Sequence, residues 1–170
     1  MSAMKWFTWD TQTNWAYLLG AILVAHNDGP AGWVFIAIMA FLTVGSAMYH
    51  AGVPRANHLD VMAMYAVGIA LWLVTILGTT VPAAGAMILL AVPGAYLLRM
   101  EQLDVCMEVK IGALFGVLYA MALLFHGLNP YLLASVGTLV VALVCRGYNH
   151  GAWHLASACG LGLLWLGVTV

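Results

Sequence analysis

His150 and His154 stand four residues apart, a spacing that on a helix sets both imidazoles on one face about one turn from each other. Two nitrogens so placed can share one zinc ion, as in the helical HxxxH arrangement of zinc hydrolases. Ser46 and His50 repeat the spacing with a hydroxyl and an imidazole. Three neutral imidazoles with a fourth position open make the ligand set of a catalytic zinc site rather than a closed structural one. Asp60 is the carboxylate that can orient or deprotonate a water held there. Plainer readings stand beside this one. An HxxxH pair on a membrane helix is also what two interfacial histidines bonded to loops look like. Histidines on different helices can instead ligate haem iron, although haem needs neither the paired spacing nor the carboxylate. Ser46 alone is an ordinary small residue for helix packing.

The elements that must position these groups follow from composition. Of 170 residues 65% are apolar and 6% charged, against roughly 25% charged in soluble domains. The mean hydropathy is +1.01. A water-soluble globule and a disordered chain are both excluded. Five Lys and Arg with a net charge of −1 give no footprint for nucleic acid. The chain therefore reads as an all-α polytopic membrane protein, since lipid tolerates no irregular backbone. A span needs about 20 residues. Seven spans of about 24 residues, loops included, would use the whole of 1–170 as a single seven-transmembrane helix bundle with no soluble domain beside it.

Turn residues place the cuts. The first and shortest span is the apolar run Trp15–Ala25, ended by 26–30 (His-Asn-Asp-Gly-Pro). With Lys5 before it the run faintly resembles a signal peptide, but Asp10 and the polar stretch 11–14 interrupt it, and no small-residue cleavage site follows. The second span is 32–50, and 51–57 is a loop containing Pro54 and Arg55. Residues 61–98 carry no charge and divide at 78–82. Residues 111–145 divide at 127–130, and the seventh span opens after 146–149. Pro93 is a kink point in the fourth span.

Counting spans puts Lys5, Arg55, Arg99, Lys110 and Arg146 on one side, and the other loops hold no Lys or Arg. The positive-inside rule then sets the N-terminus in the cytoplasm and the C-terminus outside, as in a bacterial inner membrane. His50, Asp60, His150 and His154 all fall at cytoplasmic helix ends, where ionisable groups inside spans are functional candidates. His26 and His126 belong to the outer loops, and His58 to a loop. Asp28 caps the outer face, while Glu101, Asp104 and Glu108 solvate one loop. Cys106, Cys145 and Cys159 read as free core cysteines.

Three blocks also resemble a known family. Residues 45–51 (Gly-Ser-Ala-Met-Tyr-His-Ala) are similar to the GSxxFHA stretch of alkaline ceramidases, 58–65 (His-Leu-Asp-Val-Met-Ala-Met-Tyr) to their LDExPMIY stretch, and 150–154 (His-Gly-Ala-Trp-His) to their HAWWH. The wider superfamily includes adiponectin-receptor-like and hemolysin III-like proteins. The resemblance implies a zinc-dependent intramembrane amidohydrolase acting on a ceramide-like N-acyl lipid of sphingolipid metabolism. His50, His150 and His154 would hold Zn2+, with Ser46 and Asp60 contacting the zinc-bound water that attacks the amide. The superfamily's other members imply an alternative, a lipid-sensing membrane protein with a zinc site. Val61 stands where the family has a second acid. The eukaryotic ceramidases resemble one another in an acidic N-terminal calcium site. Here only Asp10 with the neutral oxygens of Gln12 and Asn14 is offered. Calcium takes roughly six to eight oxygens with several carboxylates, so no calcium site is expected.

Overall fold

The computed structural model describes residues 6–100 and 107–170, the side chains of Met100, Met107 and Glu108 aside. The expectations placed on Lys5, Glu101, Asp104, Cys106 and the Glu108 carboxylate lie outside the described residues. Among those described there are eight helices and no strand: α1 (Trp9–Gln12), α2 (Trp15–Ala25), α3 (Gly29–His50), α4 (Ala56–Leu77), α5 (Val81–Met100), α6 (Met107–His126), α7 (Pro130–Arg146) and α8 (His150–Thr169). The turn residues cut the chain where their chemistry requires. Pro30 and Pro130 sit in the first turns of α3 and α7, where a missing N–H costs nothing. Gly78 closes α4 at a positive φ. Asn129 and Asn149 cap α7 and α8 by accepting from Leu132 N and Ala152 N, each at 3.0 Å. The helix of α5 continues through Pro93.

Five helices, α3 to α6 and α8, are long and apolar enough to cross a membrane, and α7 is a shorter apolar helix of 17 residues. The outer surface suits lipid rather than water: Leu89 is 71% exposed, Leu97 68% and Leu124 82%. These are the features of an integral membrane helical bundle. The first expected span is different. The 11 residues of α2 rise only about 16 Å, too short to cross about 30 Å of hydrocarbon alone. The polar stretch 11–14, read as an interruption before that span, instead carries α1 and a break. Thr13 and Asn14 keep right-handed helical backbone, but Ala16 N and Tyr17 N reach back only three residues, to Thr13 O and Asn14 O. The chain from Trp9 to Ala25 is thus a helix broken once, with Thr13 and Asn14 buried at the break.

Two ends of the bundle can be told apart by what they join. At one, the C-terminus of α3 meets the N-termini of α4 and α8. At the other, Trp165 near the end of α8 stacks on Phe35 of α3 with ring centroids 4.2 Å apart. Its indole Nε1 donates to Asp28 Oδ2 at 2.5 Å. Asp28, read from the sequence as an outer-face residue, makes no side-chain cap to α3; its carboxylate ties the start of α3 to α8. Asn129 Nδ2 donates to Gly167 O at 2.9 Å, and His126 Nε2 donates to Thr75 O at 3.0 Å. His126 is thus the last residue of α6 rather than a loop residue, whereas His26 stays exposed beyond α2. His58 also leaves its expected loop. It lies in the first turn of α4, and its Nδ1 accepts from Arg99 Nη2 at 2.8 Å. Cys159 is exposed and Cys145 half-buried, so neither is a core cysteine: both apolar stretches turn these positions outward, where lipid accepts a thiol as readily as a core does.

Candidate metal centre

Ser46 and His50 ride the last turns of α3, Asp60 the first turns of α4, and His150 and His154 the first two turns of α8. What brings α3 against α4 is Gly45. A Cβ there would lie 3.1 Å from Leu59 C and 3.2 Å from Asp60 N, backbone atoms with little freedom to move. The absence of a side chain lets the two helices touch one residue before Ser46. The Ser46 hydroxyl faces the Asp60 carboxyl group. Ser46 is buried and Asp60 half-buried. The connection between the helices is tight, and Arg55 holds it in a left-handed conformation at φ 64°.

The three histidines converge. Their ring centroids form a near-equilateral triangle, with separations of 4.5 Å (His50–His150), 4.9 Å (His50–His154) and 4.7 Å (His150–His154). One ring nitrogen from each lies within 4.8 Å of the other two. His50 Nε2 and His150 Nε2 are 3.1 Å apart. Tetrahedral zinc with Zn–N bonds of about 2.05 Å sets neighbouring nitrogens about 3.3 Å apart, so this pair is already near the spacing one ion imposes. His154 is 0% exposed, and its Nε2 has no hydrogen-bond partner. A buried, unpaired ring nitrogen costs stability unless something fills its lone pair. A metal ion shared with His50 and His150 would do so, and the donor set of three imidazoles suits zinc. The same geometry speaks against haem. With the His50 and His150 nitrogens 3.1 Å apart and a third imidazole beside them, no macrocycle plane fits between two axial ligands.

Around the triangle the walls are aromatic. Trp153 packs against His150 with centroids 4.6 Å apart, and the Arg146 guanidinium lies 5.8 Å above the Trp153 ring. Tyr49 stacks obliquely on His50 at 5.0 Å. Tyr17 of α2 sits 5.9 Å from His154, its hydroxyl beside Ser157 and within electrostatic reach of Asp60. An open apolar crevice of about 430 Å3, lined by Trp33, Val34, Phe41, Met87 and Val92 among others, contains none of the site residues.

All three histidines expected to hold metal are therefore brought together, with Ser46 beside Asp60. Three neighbours were missing from the sequence reading. Thr13 Oγ1 lies 3.1 Å from His154 Nδ1. Trp9 Nε1 donates to Asn149 Oδ1 at 3.2 Å. Asp10, read as an isolated acid before the first span, is near enough to act electrostatically on His50 and His150. No local pattern could have revealed a contact spanning 141 residues; the one available signal was the set of polar residues flanking Trp15. The segment offers calcium one carboxylate, Asp10, and the buried Asn14 Oδ1, which has no hydrogen-bond partner. Residues 11–14 add no second carboxylate to Asp10. Thr13 is committed to His154, and Asn14 Nδ2 donates to Asp10 O and Thr11 O. Comparison with protein-family models, with curated proteins and with solved structures returns no match to this chain.

Proposed function

We propose that the chain is a seven-span membrane protein, with the broken helix α1–α2 as its first span, whose histidine end holds a zinc ion and hydrolyses a lipid amide. The observation that carries this reading is the buried, partnerless Nε2 of His154 on a ring grouped with two further imidazoles, one of which, His50, lies one helix turn from Ser46 and its neighbour Asp60. His50, His150 and His154 hold the ion. Zinc bound by three imidazoles supplies Lewis acidity, polarising a carbonyl and lowering the pKa of water toward about 7.

The remaining chemistry belongs to the chain. Asp60 accepts a proton from the attacking water on its carboxylate and returns it to the leaving amine, a base–acid role that suits a half-buried carboxylate. Ser46 orients that carboxylate from α3. The aromatic wall of Trp153 and Tyr49 limits water at the mouth. The site lies at helix ends rather than mid-bundle, so an amide at headgroup depth can reach it while its acyl chain stays among lipid. The products are a fatty acid and a long-chain amine.

The test is metal analysis of the purified chain together with incubation in a total lipid extract, reading released fatty acid by mass spectrometry. One zinc per chain and release from N-acyl lipids are expected. Hydrolysis by a zinc-free His154→Ala protein overturns the mechanism. Zinc and bound lipid without turnover would move the reading to a lipid sensor, the alternative that the superfamily resemblance implies.

A further inference from the structure

The Thr13 hydroxyl has one hydrogen and two places to use it. Thr13 Oγ1 lies 2.9 Å from Trp9 O and 3.3 Å from Asp10 O, and 3.1 Å from His154 Nδ1. The two carbonyls can only accept. Trp9 O is the nearest of the three acceptors, and a hydrogen placed there leaves Thr13 Oγ1 meeting His154 with a lone pair. His154 Nδ1 must then carry the proton. A neutral imidazole protonated at Nδ1 has a bare lone pair at Nε2, and His154 Nε2 is the buried atom without a partner.

The segment carrying Thr13 is itself fastened to α8. The Trp9 indole donates to Asn149, whose Oδ1 also caps α8 through Ala152 N. The same indole lies flush on Gly151, where a Cβ would come 2.0 Å from Trp9 Nε1. Any residue other than glycine at 151 would displace it. Helix α1 thus lies across the turn of α8 that presents both His150 and His154.

We propose that α1 and Thr13 form a clamp that fixes His154 as its Nδ1–H tautomer and aims its Nε2 at the metal, making Thr13 a positioning residue for the site. The inference rests on the metal reading above. Its test compares zinc affinity, by competition with a chelating dye, for wild type, Thr13→Val and Thr13→Ser in detergent. Valine keeps the shape and removes the acceptor; serine keeps the acceptor. Thr13→Val should bind zinc about 10- to 100-fold more weakly, as loss of an outer partner of a ligating histidine does, and Thr13→Ser should bind as wild type does. Equal affinity of Thr13→Val and wild type overturns the proposal, as does weakening shared by valine and serine.

A second measurement reads the wild-type ring itself. Nitrogen NMR of metal-free wild type, with labelled histidine assigned through His154→Gln, should show Nδ1 protonated and Nε2 bare. The opposite tautomer overturns the clamp even if zinc binds. A wild-type chain that takes up no zinc overturns the metal reading alone, and the tautomer is then decided by the NMR.

Discussion

At the scale of single residues, the proposed reading gives the three imidazoles and Asp60 different tasks, which substitutions separate. His154→Ala removes the ligand that has no other partner, so zinc content at micromolar metal should fall from one per chain to near zero, with turnover lost in parallel. His50→Ala should do the same, because it leaves His150 Nε2 facing an empty position. Asp60→Asn is different: it keeps size and hydrogen bonding but accepts no proton. Zinc content should be unchanged while turnover drops about 10²- to 10⁴-fold, the range general acid–base groups contribute. Metal analysis and an amide-release assay on the same preparations check all three, and loss of zinc from Asp60→Asn would place that residue among the ligands. The histidines were legible in the sequence because i, i+4 spacing is a local code for one helix face. Thr13 was not legible, because its partner is set by tertiary packing of the broken first helix against α8.

At the scale of elements, the site depends on how closely α3 approaches α4 and how firmly α8 starts. Gly45 sets the first. A methyl group at 3.1–3.2 Å from the Leu59 and Asp60 backbone must push the helices apart, at a cost of about 1–3 kcal/mol for overpacking. Gly45→Ala should therefore lower the melting temperature and reduce turnover, since it parts Ser46 from Asp60. Zinc binding should suffer less, because the ligand pair on α8 is untouched. Normal stability and turnover would show that the helices have slack there. Asn149 sets the second. Asn149→Ala removes the α8 cap, worth about 1 kcal/mol, and releases the Trp9 indole. Most helix ends could be read from turn chemistry, the Gly78, Asn129–Pro130 and Asn149 boundaries among them. The division of the first span could not. Its polar residues look like loop, and only burial against α8 reveals that Thr13 and Asn14 have right-handed helical backbone inside the bundle.

At the scale of the whole molecule, charge and chemistry gather at the same end. Arg55 opens α4, Arg99 reaches His58 on that helix, Lys110 lies in the first turn of α6, and Arg146 covers Trp153 beside His150. The opposite end, joined through Asp28, His126 and Asn129, holds no described Lys or Arg. A bilayer with an excess of basic residues on its cytoplasmic side would put the histidine end inward and leave the apolar flanks of α5 to α7 in lipid. Two exposed positions report on this from opposite ends. Tyr148 is 90% exposed just before α8, and Leu128 is 72% exposed between α6 and α7. In a chain with its own cysteines replaced by serine or alanine, Leu128→Cys should react with a membrane-impermeant maleimide added to intact cells. Tyr148→Cys should react only after the membrane is opened. The reverse pattern would invert the orientation and bring the proposed substrate from the outer leaflet. Labelling of both from one side would mean that the two ends do not face opposite sides of a membrane, and the bundle would then lose the geometry that lets a lipid amide meet the histidines from within its own leaflet.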